Sequence, residues 1–331
     1  MTPPLRIGIL GAARIAPQAL IKPAAGHPEV EVVAVAARDR AKADAFATKH
    51  GIGRVHDRYE DLLADPGVDA VYNPLPNGLH GRWTIAALEA GKHVLCEKPF
   101  TANADEALEV EAVADAHPDL VVMEAFHYRY HPFADMLQEV CRSGELGRIT
   151  KVDTWMCIPL PRFKDIRYDI DLAGGANMDV GCYAVHAARL LAGQEPAVTW
   201  AKARLKFPEV DRTLEADVEF PSGATGTVRS SMWSSELLTM GAKVEGTLGT
   251  LAVRNFTLPQ LFGKMTVKSE AGRRTVKAPK GTTYRYQLDA FADAVLRGGP
   301  VLTPPSDSVA TMRVIDAMYR AAGLAPREPT R

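Results

Sequence analysis

The chain has 331 residues, of which 47% are hydrophobic, and a formal net charge of −1. This length exceeds one typical core, so we expect two domains, and the near-neutral charge gives no support to nucleic acid or an anionic membrane as the main partner. The opening stretch MTPPLRIGIL holds no long apolar run, which predicts a cytoplasmic protein without a signal peptide or a transmembrane helix.

Short runs rich in Val and Ile alternate with helical patterns from the start of the chain to Glu124. This alternation is typical of repeated βαβ units around a parallel sheet. Asn103, followed by Glu106, predicts the capped start of one helix over 104–117. The predicted strands cover residues 6–10, 30–37, 54–56, 70–75, 93–98 and 120–125.

Later in the chain the apolar residues alternate in longer runs, which predicts a mostly antiparallel sheet. One helix near 177–191 is expected to lie against this sheet, and two helices over 284–298 and 306–323 close the chain. The predicted strands include 197–207, 213–220 and 223–233. The fold class expected is therefore α/β followed by α+β.

The stretch RIGILGAARIAP runs from the first predicted strand straight into a glycine, two alanines and an arginine. Gly11, Ala13 and Ala16 stand where the dinucleotide-binding pattern G-x-G-x-x-G/A has its small residues, with alanine for the middle glycine. The amides from Gly11 through Arg14 and Ile15, at the start of a helix, suit a pyrophosphate. An ordinary tight turn between strand and helix is the alternative.

The end of the second predicted strand distinguishes two dinucleotides. NAD-binding domains usually have Asp or Glu there for the ribose hydroxyl, whereas this sequence has Ala37 followed by Arg38. A guanidinium binds a 2′-phosphate through charge-assisted hydrogen bonds, and Lys42, one turn into the next helix, could add a second cation. The pattern favours NADP(H), unless Arg38 and Arg40 are only solvated charges at a helix start.

Four further motifs occur in order along the chain. They are VYNPLPNGLH at 71–80, AGKHVLCEKPF at 90–100, EAFHYRYHP at 124–132 and GGANMDVGCYAVH at 174–186. Together with the closing helix VATMRVIDAMYRAA, they make nearly the whole chain resemble the glucose-fructose oxidoreductase and inositol dehydrogenase (Gfo/Idh/MocA) family. Within it, the sequence is most similar to the branch that holds dimeric dihydrodiol dehydrogenase, NADP-dependent pyranose dehydrogenases and ketosugar reductases.

The resemblance implies a doubly wound Rossmann domain at 1–124 that binds NADP(H), and an open-faced, mostly antiparallel sheet domain at 125–331 for substrate binding and oligomerisation. It also implies a homodimer or homotetramer that associates through this sheet. Two residues depart from the family pattern, since Ala13 replaces glycine and Asn73 stands where a small apolar residue is more usual. His80 could only cap the helix that follows it. By resemblance, the cofactor side includes Pro74, Leu75, Asn77, His80, Glu97 and Lys98.

Lys98 follows the apolar run HVLC and ends the predicted strand 93–98, at the carboxyl end where open α/β sheets bind their ligands. Beside a nicotinamide ring, its ammonium can hydrogen-bond a substrate oxygen and favour the alkoxide that forms during oxidation. The next residue, Pro99, is similar to a proline that is commonly cis in the family. A surface lysine at a strand end is the alternative.

Asp179, Tyr183 and His186 are spaced four and three residues apart in an otherwise apolar helix, so they share one face. Such a polar stripe needs water, partners or a ligand, since unpaired burial is costly. By resemblance, Asp179 positions a substrate hydroxyl and Tyr183 stands where relatives have a catalytic Tyr or His. A buried and fully hydrogen-bonded helix face is the alternative, and the sequence leaves open whether Lys98 or Tyr183 is the formal acid/base.

Other candidates are assigned to the substrate side by resemblance alone. Arg129 and Arg167 lie in segments that border the substrate pocket in relatives, and His127 and His186 belong to two of the motifs. Either arginine could instead form an ordinary ion pair between the domains.

Metal-ligand spacing occurs twice, at His127 with His131 and at Cys182 with His186. His131 precedes a proline and the resemblance implies no metal, so none is expected. The four cysteines lack a C-x-x-C pair and are expected to be reduced and buried.

Three functions are consistent with these observations. The leading hypothesis is an NADP(H)-dependent oxidoreductase that transfers hydride between the nicotinamide and a secondary alcohol or ketone of a cyclic polyol, with a pyranose sugar or derivative as substrate. The second is a glycosidase that retains its dinucleotide and uses transient oxidation, against which Arg38 argues. The third is a non-catalytic NADP-sensing regulator, against which the presence of Lys98 and Tyr183 argues.

Overall fold

The computed structural model describes residues 3–236 and 238–331, which form two compact units. The first unit comprises Met1–Phe126 and Tyr284–Val309, and the second comprises His127–Thr283 and Ala310–Arg331. The first unit therefore includes a stretch near the end of the chain that the predicted division between 124 and 125 assigned to the other domain. No local pattern in a sequence reports such a return of the chain.

The first unit is built on a six-stranded parallel sheet in the order β3-β2-β1-β4-β5-β6. This order confirms the predicted doubly wound Rossmann sheet, in which the direction of winding reverses between β1 and β4. The strands are β1 Leu5–Leu10, β2 Val30–Ala36, β3 Arg54–His56, β4 Ala70–Asn73, β5 His93–Cys96 and β6 Val122–Glu124. All but one residue of β1 is buried, as expected for a parallel strand that is covered on both faces.

Several helices of the two units have identifiable caps. The helices are α1 Lys22–Ala24, α2 Arg40–His50, α3 Tyr59–Leu63, α4 His80–Glu89, α5 Ala104–Ala116, α6 Pro132–Arg142, α7 Cys182–Ala192, α8 Thr283–Arg297 and α9 Pro305–Ala321. The Asn103 side chain accepts the N–H of Glu106 at 2.9 Å, which confirms the predicted start of α5. Asp39 caps α2 in the same way, and Gly51, with φ of 69°, ends it in the left-handed conformation that favours glycine.

The second unit contains an eight-stranded sheet in the order β14-β13-β12-β11-β7-β10-β9-β8. Only β7 and β10 pair in parallel among its neighbouring strands, which confirms the predicted mostly antiparallel sheet. The strands are β7 Ile149–Cys157, β8 Ala197–Phe207, β9 Val210–Glu219, β10 Thr225–Ser231, β11 Thr239–Gly246, β12 Gly249–Arg254, β13 Lys264–Ser269 and β14 Gly272–Lys277. Helix α7 packs against β7 and β10, so it covers the centre of this sheet.

Two predicted helices begin with a π-turn. The helix expected from about Arg14 begins with Pro17–Ile21, and the helix expected over 177–191 begins with Asn177–Gly181 and continues as α7. A π-turn adds one residue to the helical repeat, and an apolar period near 3.6 residues does not reveal it. Within residues 3–236 and 238–331, no helix is both long and apolar enough to cross a membrane.

Candidate functional site

The predicted cofactor residues all belong to the first unit, and the predicted substrate residues all belong to the second. In the first unit, residues 11–15 follow β1, Arg38 follows β2, residues 74–75 follow β4, and residues 97–98 follow β5. Parallel strands end at the same edge of a sheet, so the structure brings these residues to one carboxyl edge. Ligands bind at this edge in open α/β sheets.

Gly11 occupies the tightest point of this edge. Its φ of 91° lies in the region that favours glycine, and its N–H donates to the carbonyl of Ala36 at 2.7 Å. A Cβ added there would lie 3.0 Å from Cδ2 of Leu75, which is tighter than ordinary packing. Ala13 is half-buried beside it and Arg14 is exposed. This backbone, crowded on one side and lined by small residues, fits the turn that holds a dinucleotide pyrophosphate.

Arg38 is exposed at the same edge and is hydrogen-bonded to Tyr59. Burial raises the pKa of the Tyr59 phenol, and the nearby Arg38 guanidinium partly opposes this shift. Across residues 3–236 and 238–331, Arg38 forms no ion pair with a carboxylate. No carboxylate of the described residues therefore neutralises its charge.

The neighbouring cations are placed differently. Arg40 pairs with Asp44 and Asp57, each at 2.8 Å, so it belongs to the surface of α2. Lys42 is exposed, and its Nζ lies 3.4 Å from Asp39. Arg38 is thus the better of the two predicted phosphate ligands.

His80 connects two segments of the cofactor edge. It is 1% exposed, and its Nε2 and Nδ1 lie 2.7 Å from the carbonyl oxygens of Leu75 and Pro99. Burial, aided by the Lys98 ammonium, lowers the pKa of His80 to about 4 against the effect of the two carbonyls. A carbonyl oxygen only accepts, so the neutral ring that burial favours donates to one of these two oxygens, and only the doubly protonated ring donates to both. His80 thus lies between Leu75, two residues after β4, and Pro99, which follows Lys98.

Lys98 is half-buried, and it follows Glu97, whose side chain is held by hydrogen bonds. The Tyr72 hydroxyl donates to Oε1 of Glu97 at 2.6 Å, and the N–H of Lys98 donates to Oε2 at 3.3 Å. The Lys98–Pro99 peptide bond is cis, as the resemblance implies. The backbone that carries Lys98 is thus held at the carboxyl end of β5.

Asn73 is buried and directed at the start of α4. Its amide nitrogen donates to the carbonyl of His80 at 3.1 Å and to the Thr84 hydroxyl at 3.3 Å. Asn73, which stands where the family more usually has a small apolar residue, therefore binds the first turns of α4 through its side chain. Asn77, another predicted cofactor residue, is half-buried in the 3₁₀ turn Asn77–Leu79.

In the second unit, Tyr183 meets His127. The Tyr183 hydroxyl lies 3.0 Å from Nε2 of His127, and Nδ1 of His127 lies 2.9 Å from the Thr283 hydroxyl. All three residues are buried, with Tyr183 5% exposed. The phenol of α7 therefore stands at the end of a chain of groups that can pass a proton.

His186 lies one turn further along α7 and contacts the same short segment, the 3₁₀ turn His127–Tyr130. Its Nδ1 is 2.5 Å from the hydroxyl of Tyr128. The Tyr128 ring in turn packs edge-on against Phe256, with ring centroids 5.1 Å apart. Tyr183 and His186 thus share one face of α7, as their spacing predicts.

Asp179 binds Arg167. Nε of Arg167 lies 2.9 Å from Oδ1 of Asp179, and its Nη1 lies 3.0 Å from Oδ1 of Asp165. The Asp179 carboxylate raises the pKa of the Arg167 guanidinium above its ordinary value despite burial. The structure thus brings the two predicted substrate residues Arg167 and Asp179 together within the second unit. Asp165, which was not predicted, adds a third charged side chain.

Arg129 and His131 have other partners. Nη1 of Arg129 lies 2.7 Å from the largely exposed carboxylate of Asp135, and Nδ1 of His131 accepts the N–H of Phe133 as the cap of α6. In the part of the chain that the structure describes, no group of three or more His, Cys, Asp or Glu side chains could hold a metal ion. Of the cysteines, Cys141 is only half-buried, whereas Cys96, Cys157 and Cys182 are buried.

Several residues of these clusters were not predicted. Tyr59 and Thr283 carry no local signal, because their partners are distant in the sequence. Tyr128 and Asp165 did carry a local signal in the sequence, since Tyr128 lies in the motif EAFHYRYHP and Asp165 stands two residues before Arg167.

Two family models match the chain. The model described as an oxidoreductase family with an NAD-binding Rossmann fold matches residues 5–125. The model described as the GFO/IDH/MocA C-terminal domain matches residues 135–252.

Relatives and solved structures match almost end to end. D-xylose 1-dehydrogenase (NADP(+)) 2 of Haloferax volcanii is 42% identical over 323 residues, which cover 96% of this chain and 97% of that protein. Trans-1,2-dihydrobenzene-1,2-diol dehydrogenase of Mus musculus is 33% identical over 337 residues, which cover 97% of each chain. The crystal structure of a 3-ketoreductase from Actinomadura kijaniata, in complex with NADP and TDP-benzene, aligns with a TM-score of 0.88 and 30% identity over 96% of this chain and 98% of that one.

Proposed function

This chain belongs to the Gfo/Idh/MocA family of oxidoreductases, and on that premise we propose that it is an NADP(H)-dependent dehydrogenase or reductase of cyclic polyols. The reaction transfers a hydride between the nicotinamide and a secondary alcohol or ketone. A pyranose sugar or a derivative is the substrate class, in line with the D-xylose dehydrogenase and the 3-ketoreductase to which the chain is similar.

The observation that carries this proposal is the position of Lys98. It stands half-buried at the carboxyl end of β5, on a backbone that Glu97 and Tyr72 hold in place. A cation fixed at this edge can bind the oxygen of the reacting carbinol and stabilise the negative charge that develops there. A rigid strand end gives such a group the precision that catalysis needs.

Residues of the first unit hold the cofactor. The Gly11 turn, with Ala13, Arg14 and Ile15, takes the pyrophosphate, and Arg38 with Lys42 takes the 2′-phosphate. The remaining contacts come from Pro74, Leu75, Asn77, His80 and Glu97. When bound, the nicotinamide accepts or supplies the hydride equivalent. The NADP dependence in the name of the Haloferax volcanii relative supports the same choice of dinucleotide.

Residues of the second unit bind the substrate and move its proton. Tyr183 exchanges the proton of the reacting hydroxyl, because His127 and Thr283 continue its hydrogen bonds away from the substrate. Asp179, oriented by Arg167, binds the hydroxyl on the neighbouring carbon. Arg129 and His186 border the same substrate. Lys98 then binds the reacting oxygen, while Tyr183 is the formal acid/base.

The chain forms a homodimer or homotetramer through its second sheet. Edge strand β8 exposes Trp200, which is 46% exposed and pairs with the exposed Asp217 of β9. A large apolar side chain on an open sheet face favours association with another copy. Light scattering after gel filtration tests this, since Trp200→Lys should yield monomers. A cytoplasmic location, expected from the sequence, stays a prediction.

The test of the function compares Lys98→Met with the wild type. Met keeps most of the side-chain volume but removes the charge, so turnover of a pyranose should fall by about 10²–10⁴-fold while NADP(H) still binds. The readouts are NADPH absorbance with a panel of cyclic polyols and ketosugars, and NADP(H) affinity by calorimetry. Lys49→Met, at an exposed lysine in the last turn of α2, is the matched control.

Other results would favour the alternatives. Tight NADP(H) binding by the wild type without hydride transfer to any member of the panel would point to a sensor. A dinucleotide that co-purifies with the protein, together with release of a sugar substituent without net oxidation, would point to the glycosidase.

A further inference from the structure

A buried ion pair joins the end of the chain to the second sheet. Arg327 is 2% exposed, and Asp211 in β9 is fully buried. Nη2 of Arg327 lies 2.7 Å from Oδ1 of Asp211, and the Tyr319 hydroxyl donates to the same oxygen at 2.9 Å. The guanidinium also lies over the Tyr319 ring, 4.2 Å from its centroid. Because burying two charges costs much of what their attraction returns, such a pair is weak as a source of stability and strong as a geometric constraint.

Both charged groups also bind the backbone just before α7. Oδ2 of Asp211 accepts the N–H of Asn177 at 2.8 Å, and Nε of Arg327 donates to the carbonyl of Gly174 at 2.7 Å. Gly175, between them, has φ of 137°, and a Cβ there would lie 2.2 Å from Oδ1 of Asp211. Only glycine allows this approach, so the ion pair and the backbone are in direct contact.

The same two glycines hold the segment that carries Arg167. The N–H of Gly175 donates to the carbonyl of Arg167 at 2.9 Å, and the N–H of Gly174 donates to that of Asp169 at 2.8 Å. On the helix side, the carbonyl of Gly175 accepts the N–H of Asp179 at 3.0 Å. The backbones of Arg167 and Asp179 are thus both hydrogen-bonded to these glycines, while their side chains meet at 2.9 Å.

We propose that Arg327 is a positioning residue for substrate recognition. By binding Gly174 and Asp211 together, it fixes the first turn before α7 and thereby the direction of the Asp179 carboxylate and its partner Arg167. The inference rests on the proposed function in one respect, which is that Asp179 binds the hydroxyl beside the reacting carbon. Arg327 itself touches neither the substrate nor the cofactor.

The test is Arg327→Lys. A lysine keeps a positive charge beside Asp211, but one ammonium cannot also bind the Gly174 carbonyl and lie flat on Tyr319. We compare kcat/KM for the best pyranose with kcat/KM for the deoxy analogue that the wild type discriminates against most strongly. Their ratio does not depend on how much of the enzyme is folded, so a merely structural role would leave it unchanged. We expect the ratio to fall about tenfold, the scale of one lost hydrogen bond, while the Kd for NADP(H) changes by less than about twofold.

Arg189→Lys is the matched control. Arg189 lies in the last turn of α7, away from the two glycines, and is 8% exposed. Its guanidinium binds the side chains of Glu195 and Thr311. Its substitution should lower stability and leave the ratio at the wild-type value. Tyr319→Phe serves as a second test variant if Arg327→Lys does not fold. It removes one hydrogen bond to Asp211, keeps the ring, and should lower the ratio in the same direction by a smaller factor.

Hydrogen exchange gives a readout that needs no substrate. Amides 177–183 should exchange faster in Arg327→Lys than in the wild type, with the rest of the second unit unchanged. An unchanged substrate ratio, or faster exchange spread evenly over the second unit, would overturn the proposal. If the wild type oxidises no polyol, the proposed function fails. In that case, faster amide exchange in Arg327→Lys that is confined to 177–183 still supports the positioning role of Arg327. Exchange at 177–183 that equals the wild-type rate overturns it.

Discussion

The phenol oxygen of Tyr183 lies 3.0 Å from Nε2 of His127, and the other ring nitrogen of His127 lies 2.9 Å from the Thr283 hydroxyl. Two hydrogen-bond arrangements satisfy this chain. Either Thr283 donates to Nδ1, so that Nε2–H donates to the phenol, or the phenol donates to Nε2 and Nδ1–H donates to Thr283. In the first, the phenol proton is directed away from His127, and in the second it is shared with the ring. In the second arrangement, a proton that Tyr183 takes from the proposed substrate hydroxyl has a route inward, because the phenol can pass its own proton to Nε2 of His127.

Tyr183→Phe removes the first member of this chain and keeps the ring. Because the proton transfer proposed for Tyr183 matters chiefly in the transition state, we expect kcat for the best polyol to fall by about 10²–10⁴-fold with a smaller change in KM. His127→Gln should lower kcat by a smaller factor, since it acts through Tyr183. Steady-state kinetics with saturating NADP+ measures both. A loss confined to KM in Tyr183→Phe would assign the tyrosine to substrate binding instead.

Arg38→Ala tests the choice of dinucleotide. An exposed guanidinium that no carboxylate of the described residues neutralises should bind the 2′-phosphate, so its loss should weaken NADP(H) binding by roughly 1.5–3 kcal/mol and leave NAD(H) binding nearly unchanged. Arg40→Ala is the matched control, because Arg40 is already paired with Asp44 and Asp57. Calorimetric titrations of both variants with both cofactors measure the difference. Equal losses for NADP(H) and NAD(H) would remove this role from Arg38.

The elements that local patterns encode could be predicted from the sequence. Residues 54–56 and 197–207 coincide with β3 and β8, and the cap at Asn103 is where Asn and Glu at that spacing indicate it. Arg38 follows one predicted parallel strand and Lys98 ends another, so their place at the carboxyl edge followed from the topology of such sheets.

Relationships between distant parts of the chain could not be predicted. The contact of Tyr183 with His127 and the ion pair of Asp211 with Arg327 join residues that no short motif connects. The π-turn Asn177–Gly181 lies outside any apolar period, because it adds a residue to the repeat. The inclusion of residues 284–309 in the first unit is likewise a property of tertiary packing.

Glu106→Gln tests a pH dependence of stability. Glu106 is 6% exposed, and one carboxylate oxygen accepts the N–H of Ala102 at 2.8 Å. Gly81 packs against the same carboxyl group, where a Cβ would lie 2.3 Å from Oε1. Burial, helped by the charge of Glu109, raises the pKa of Glu106 from 4.5 to about 7.

The sign of the effect follows from proton binding. Between pH 4.5 and about 7 the folded protein holds a proton on Glu106 that the unfolded chain has lost, so this group makes the free energy of unfolding fall as pH rises through that window. Below pH 4.5 both states are protonated, and the full contribution is present. A neutral amide accepts the Ala102 N–H without this penalty. Glu106→Gln should therefore exceed the wild type in stability at about pH 8, by up to about 3 kcal/mol, and match it near pH 4.5.

Urea unfolding of both proteins at several pH values measures this difference, and subtraction removes the titration of all other groups. Glu89→Gln, at an exposed glutamate in α4, is the control for the same substitution at the surface. If the difference for Glu106→Gln is also constant from pH 4.5 upwards, the carboxyl group is ionised throughout. The Ala102 amide would then outweigh the burial of the charge, and the close packing of Gly81 would have to admit a solvating water.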